Sequence, residues 1–346
     1  MAMMINCCLK FYISSIVLLF FSHIVYGIHQ PPMNNPHCPI WPTDNLSFFK
    51  GAPLNEYIQP TCSNNPISGT FGCVRNQGRR FHEGIDIKSI HRNRRRIPQD
   101  KIFACLPGKI AYINREPNTS SYGRYIIIEH HDQTITFYTL YAHLADIHPK
   151  LSCSQEVFQR QILGTMGNSS TSKIPIARAH LHFEVGIKLG DNTTFSQWYQ
   201  DQKFPTPNHH GMWNGFNLVG LDPLAFFKSR KSFAPFLKDQ PIAFSLIIAT
   251  TRTPDFFRRC APSKHYSKPT RLFGWKVHFN WVGAPISWQP IFTPLSRKIT
   301  VEFLNKEQLF KWGSRHTLEL NSNGKPYIGS TLKRQLFLLF GEYFSL

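Results

Sequence analysis

Residues 178–184, Arg-Ala-His-Leu-His-Phe-Glu, set the tightest limit on how this chain can fold. His180 and His182 alternate with Leu181 and Phe183. A strand has a side-chain period of two, so both imidazoles project from one face and both apolar groups from the other. The two histidines then lie ~7 Å apart along the strand. That spacing suits a division of labour, one ligating a metal and the other standing beside a reacting water.

In a chain of 16 histidines one His-x-His is a weak signal. Two further segments add weight. Residues 81–88, Phe-His-Glu-Gly-Ile-Asp-Ile-Lys, offer His82 and Asp86 as a His-x-x-x-Asp pair, and residues 141–144, Tyr-Ala-His-Leu, offer His143. Three His/Asp clusters, two on expected strands and one just ahead of a strand, point to a zinc hydrolase site.

The rest of the chain reads in the same period. Residues 102–113 give two strands around a Pro107-Gly108 turn, and residues 123–130 (Gly-Arg-Tyr-Ile-Ile-Ile-Glu-His) form a β-branched run. Residues 131–133 turn the chain, and 134–144 return and end on His143. Short strands without a long helical period mean an all-β protein with a barrel or sandwich-like core. Composition shifts near residue 228, after which alternating runs such as 298–304 (Lys-Ile-Thr-Val-Glu-Phe-Leu) mark a second, β-rich part of unknown role. The expected organisation is a leader at 1–27, a Pro/Asn-rich extended lead-in at 28–60, a main domain at 61–227 and a C-terminal domain at 228–346. Every candidate ligand precedes residue 186, so the chemistry is expected not to need the last part.

Lys10, the apolar run 11–21 and a tolerable cleavage site at Val25-Tyr26-Gly27 read as a secretory signal, cleaved rather than kept as an anchor. No later run is long enough to span a bilayer. Export places the protein in a periplasm or cell envelope, where the six cysteines left after cleavage favour disulfides, Cys62 with Cys73 being the most local pair. The formal net charge of +19 favours an anionic partner. No nucleic-acid module is visible, and a wall polymer with free carboxylates is the simplest polyanion for an exported protein. The oligomeric state is not legible.

Together, residues 68–72 (Ser-Gly-Thr-Phe-Gly), 81–86, 141–144 and 180–184 (His-Leu-His-Phe-Glu) resemble the LytM/lysostaphin-type zinc metallopeptidases, which cut peptide cross-bridges of peptidoglycan. The resemblance runs from about residue 67 to 185, with a weaker tail to 223. It implies a LytM-like β-sheet or barrel-type core, His82, Asp86 and His182 as zinc ligands, and His143 and His180 flanking the water. The bottom-up chemistry agrees: two imidazoles and a carboxylate leave Zn²⁺ an open position, and a histidine near neutrality can move the proton or meet the oxyanion. Between His143 and His180 these roles stay undivided.

Other features are expected to be inert or indirect. Glu83 and Glu184 read as solvated groups or as groups behind the ligands, and Gly84 argues against a His-Glu-x-x-His helix. Asn208-His-His-Gly211 reads as a loop. The chain departs from the family pattern in a basic loop at 91–100 and in residues 172–179 before His180, both expected to border the substrate groove. The leading expectation is an exported zinc endopeptidase acting on peptidoglycan. The alternatives are a non-catalytic LytM-like module that binds wall or regulates an amidase, and a zinc endopeptidase for a protein substrate.

Overall fold

The apolar halves of the alternating strands decide where the core lies. Along His180–Lys188, Leu181, Phe183, Val185 and Ile187 are all fully buried on one face, each worth about 1.5–3 kcal/mol relative to exposure. The computed structural model describes residues 38–61, 63–133, 135–260 and 271–346. The signal and residues 28–37 of the lead-in fall outside that range, as does Cys62.

His180–Lys188 lies within a seven-stranded sheet. Its antiparallel neighbours are Ile135–Ala142 on one side and, on the other, Ile85–Lys88 beside its first half and Leu218–Leu221 beside its second. Beyond Ile135–Ala142 the sheet continues through Tyr125–Asp132 and Gly108–Asn114 to Glu156–Val157. Among the described residues its two outer strands do not pair, so the protein is all-β without barrel closure. The first half of Tyr125–Asp132, through Ile128, is buried on both faces because both are covered there. Ile126 and Ile128 enter the main core, while Tyr125 and Ile127 meet Tyr138, Leu140 and Trp213 on the face that also carries His180 and His182. A three-stranded sheet, Lys101–Phe103, Ile162–Met166 and Leu144–Ile147, adjoins it.

Residues 244–304 add a four-stranded antiparallel sheet ordered Pro285–Ile291, Gly274–Phe279, Phe244–Ala249, Ile299–Leu304. Its Phe244, Leu246, Ile248, Val277 and Phe279 belong to the same continuous apolar core as Ile85 and Phe183. Phe233 stacks on Phe137 at 4.1 Å, and Ala234 N donates to Asp132 Oδ2 at 2.6 Å. The described residues form one compact unit. Within the lead-in, Trp41 is buried, stacked on Phe48 and tilted against Phe227. Cys38, Cys73, Cys105, Cys153 and Cys260 are free thiols, and burial pushes Cys105 up to about 12. The expected Cys62–Cys73 pair involves an undescribed residue. No helix among the described residues is long and apolar enough to cross a membrane.

Candidate metal centre and its cleft

Strand register brings the first three residues together. Ile85–Lys88 pairs with His180–Lys188 so that Asp86 stands directly across from His182. His82 ends the strand Arg80–His82, and only two residues, Glu83 and Gly84, separate it from Ile85. Gly84 permits that close return, because a Cβ there would lie 2.2 Å from the Phe183 carbonyl oxygen.

The result is a buried triangle. His182 Nδ1 lies 3.0 Å from both Asp86 Oδ1 and His82 Nε2, and His82 Nε2 lies 3.2 Å from Asp86 Oδ1. The outer atoms of both rings fix their tautomers. His82 Nδ1 is 2.8 Å from Thr70 O, an acceptor only, so Nδ1 holds the proton and Nε2 a lone pair. His182 Nε2 donates to Glu184 Oε1 at 2.9 Å, so in the neutral ring the lone pair lies on Nδ1. Two imidazole lone pairs and a carboxylate oxygen thus converge, and such a set needs positive charge at its centre. Two nitrogens and one oxygen with a fourth position left open match a catalytic zinc site. The residues fit a metal ion.

Titration behaviour follows the same need. Burial opposes a charged His182, yet hydrogen bonds and charge from Asp86 and Glu184 raise it to about 9. Burial alone would raise the Asp86 carboxyl, but His82, His180 and the hydrogen bonds it receives hold it well below the usual range. Arg75 Nη2 donates to Asp86 Oδ2. Burial pulls His82 down against the pull of Asp86.

His143 and His180 complete the group of five. His143 Nδ1 faces Ser169 O at 2.9 Å and His180 Nδ1 faces Arg178 O at 2.7 Å, so each ring turns an unprotonated Nε2 toward the centre. His180 Nε2 is buried without a hydrogen-bond partner, 3.4 Å from Asp86 Oδ1. The His143 ring centroid lies 4.9 Å from that of His180 and 5.7 Å from that of His182. Burial, then the neighbouring His180 and His182, keep His143 well below its ordinary value.

Residues 80–194 match peptidase family M23. The chain carries an M23 peptidase domain. Among solved structures it is similar to a zinc-containing peptidase from Vibrio cholerae (25% identity, 30% of this chain and 26% of that one, TM-score 0.23). It is also similar to Csd3 from Helicobacter pylori (19%, 50% and 38%, TM-score 0.29) and to the catalytic domain of the antimicrobial peptidase lysostaphin from Staphylococcus simulans (20%, 51% and 95%, TM-score 0.30). The chain thus spans about a quarter of the Vibrio protein and under half of Csd3. No curated protein matches.

The M23 site holds residues that the sequence did not single out. Tyr122 and Tyr138 donate to Glu184 at 2.7 and 2.8 Å, completing a chain from two phenols through a carboxylate to His182. Burial, then the Glu184 charge, push both phenols well above their ordinary value. Glu184 is fully buried, so of its two expected readings the solvated one fails. The period of two already placed it beside His182. No such pattern marks Tyr122, which sits in a loop, or Arg75, displaced by an irregular register in the hairpin 72–82.

All four histidines line a cleft of about 1140 Å³. Residues 172–175 and Arg178 border it, as expected for the segment before His180. The loop 91–100 does not. Its Arg92 instead donates to Ile176 O, Ala177 O and Ala179 O, holding the bordering segment from behind. His210 is held by Tyr112 and Thr119 and joins no metal-ligating group among the described residues. Glu83 pairs with Arg315.

Proposed function

We propose that the protein is an exported zinc metalloendopeptidase that hydrolyses peptide cross-bridges of peptidoglycan. The observation that supports it best is the convergence of His82 Nε2, Asp86 Oδ1 and His182 Nδ1 on the wall of an open cleft, beside two further imidazoles with free Nε2 atoms. His82, Asp86 and His182 would hold the zinc. Bound there, zinc lowers the pKa of a water and polarises the scissile carbonyl.

The chain's own residues supply the rest. Nε2 of His143 or His180 accepts a proton from the attacking water and delivers it to the leaving amide nitrogen. The other, once protonated, donates to the developing oxyanion. Glu184 keeps the His182 proton on Nε2, and Arg75 orients Asp86 by donating to its Oδ2. All five positions being filled supports an enzyme over a wall-binding module, and a basic chain suits a substrate with free carboxylates.

Isolated sacculi incubated with the zinc-loaded protein, with products read by mass spectrometry, test the reading. New peptide termini that disappear in excess strong chelator are the expected outcome. Cleavage of casein or elastin with sacculi left intact would move the substrate to protein. Cleavage of nothing, with full zinc content, would mean a binding module.

A further inference from the structure

Six cations border the cleft without touching the metal triangle: Arg79, Arg80, Lys173, Arg178, Arg315 and Arg334. Among the described lining residues the only acid is Glu83, and it is already engaged: Arg315 Nη2 lies 3.3 Å from its Oε1. The Arg315 guanidinium also lies over Phe81, 3.8 Å from the ring centroid.

Arg334 is different. It projects from the helix Ser330–Phe340, its Nε is fully buried without a hydrogen-bond partner, and its guanidinium lies 5.5 Å from the Phe216 ring centroid. It makes no ion pair or hydrogen bond among the described residues. Burial, and then the charge of Arg315, pull it down to about 10 against the pull of Glu83. Arg334 is half-buried at the cleft wall, and its Nε donor sits out of water with no acceptor, which is costly for the folded chain. A position like this one makes physical sense when a ligand brings the missing anion, and a guanidinium grips a carboxylate with two parallel bonds. Both arginines lie far beyond residues 80–194, the segment that matches the peptidase family.

We propose that Arg334, with Arg315 beside it, binds a carboxylate of an acidic peptide substrate, so that the C-terminal part of the chain sets which peptides reach the metal centre. The inference deepens the endopeptidase reading and rests on it for the chemistry, while the binding step stands by itself.

The probes are two end-capped hexapeptides, Gly-Gly-Glu-Gly-Gly-Glu and its Gln counterpart, presented to the full chain. The quantity read is the preference for the Glu over the Gln form, as kcat/KM with zinc and as calorimetric affinity without it. The parent should prefer the Glu form about tenfold or more. Arg334→Gln should bring that ratio close to one, Arg315→Gln should lower it, and Arg95→Gln, outside the cleft, should leave it intact. The Tm of Arg334→Gln should equal or exceed the parent's, and Arg334→Lys, which keeps the charge, should retain part of the preference. A parent without preference, or one whose preference survives in Arg334→Gln, overturns the inference. A parent that binds the Glu peptide through Arg334 but cleaves neither peptide overturns the hydrolase reading and leaves this one standing.

Discussion

At the scale of single residues, Glu184 governs the centre. It accepts from Tyr122, Tyr138 and His182 Nε2, and so decides that His182 meets its partners through Nδ1. A group behind a ligand typically contributes 10–100-fold in metal affinity, as an order of magnitude. Glu184→Gln, with one acceptor fewer, should weaken zinc binding by about that factor in competition with a chromogenic chelator, and unchanged affinity would show the chain to be ornamental. A second residue makes stability depend on pH. His130 is neutral and buried, 2.8 Å from both Pro107 O and Thr139 Oγ1. Burial lowers its pKa from 6.5 to about 4. The unfolded chain therefore takes up this proton first. Stability is whole above pH 6.5 and falls as pH drops toward 4, by about 3 kcal/mol for this group. Urea unfolding across that window should show a drop in the parent that His130→Gln largely lacks; parallel curves would contradict it.

At the scale of elements, two backbone features place the site. Gly84 lets the His82 strand turn straight into Ile85–Lys88 against the Phe183 carbonyl. Gly84→Ala should cost about 1–3 kcal/mol through the forced shift and lower zinc content as well, and a variant with parental Tm and zinc would remove the turn from the argument. His143 is the other feature. It has φ 62°, in the left-handed region that a histidine seldom enters, between Ile135–Ala142 in one sheet and Leu144–Ile147 in another. Its N–H is held by Tyr122 O. The alternating strand 180–184 and the small residue at Gly84 were legible in the sequence because period and bulk are properties of the residues themselves. The left-handed corner was not, since nothing in Tyr-Ala-His-Leu favours positive φ and only the change of sheets imposes it. Tyr122 and Arg75 were invisible for the same reason: loop and bulge geometry aim them.

At the scale of the whole molecule, the C-terminal part does more than adjoin the peptidase segment. Phe233 covers Phe137, Trp281 packs on Phe71 and Phe81, and Arg315 holds Glu83, the neighbour of His82. A chain ending at Lys228 would expose all of these faces. Its Tm should fall by ~10 °C or more, and a fragment with parental Tm and zinc would show the two parts to be independent. The central claim, that His82, Asp86 and His182 form a zinc centre with His143 and His180 beside it, is tested most directly by metal content. Purified parent, His182→Ala, His180→Ala and His143→Ala are dialysed against the same zinc buffer and measured together. The expected result is about one zinc per molecule in the parent, little in His182→Ala, and near-parental zinc with hydrolysis reduced on the order of 10²-fold in the other two. Loss of zinc from His180→Ala with retention in His182→Ala would contradict it.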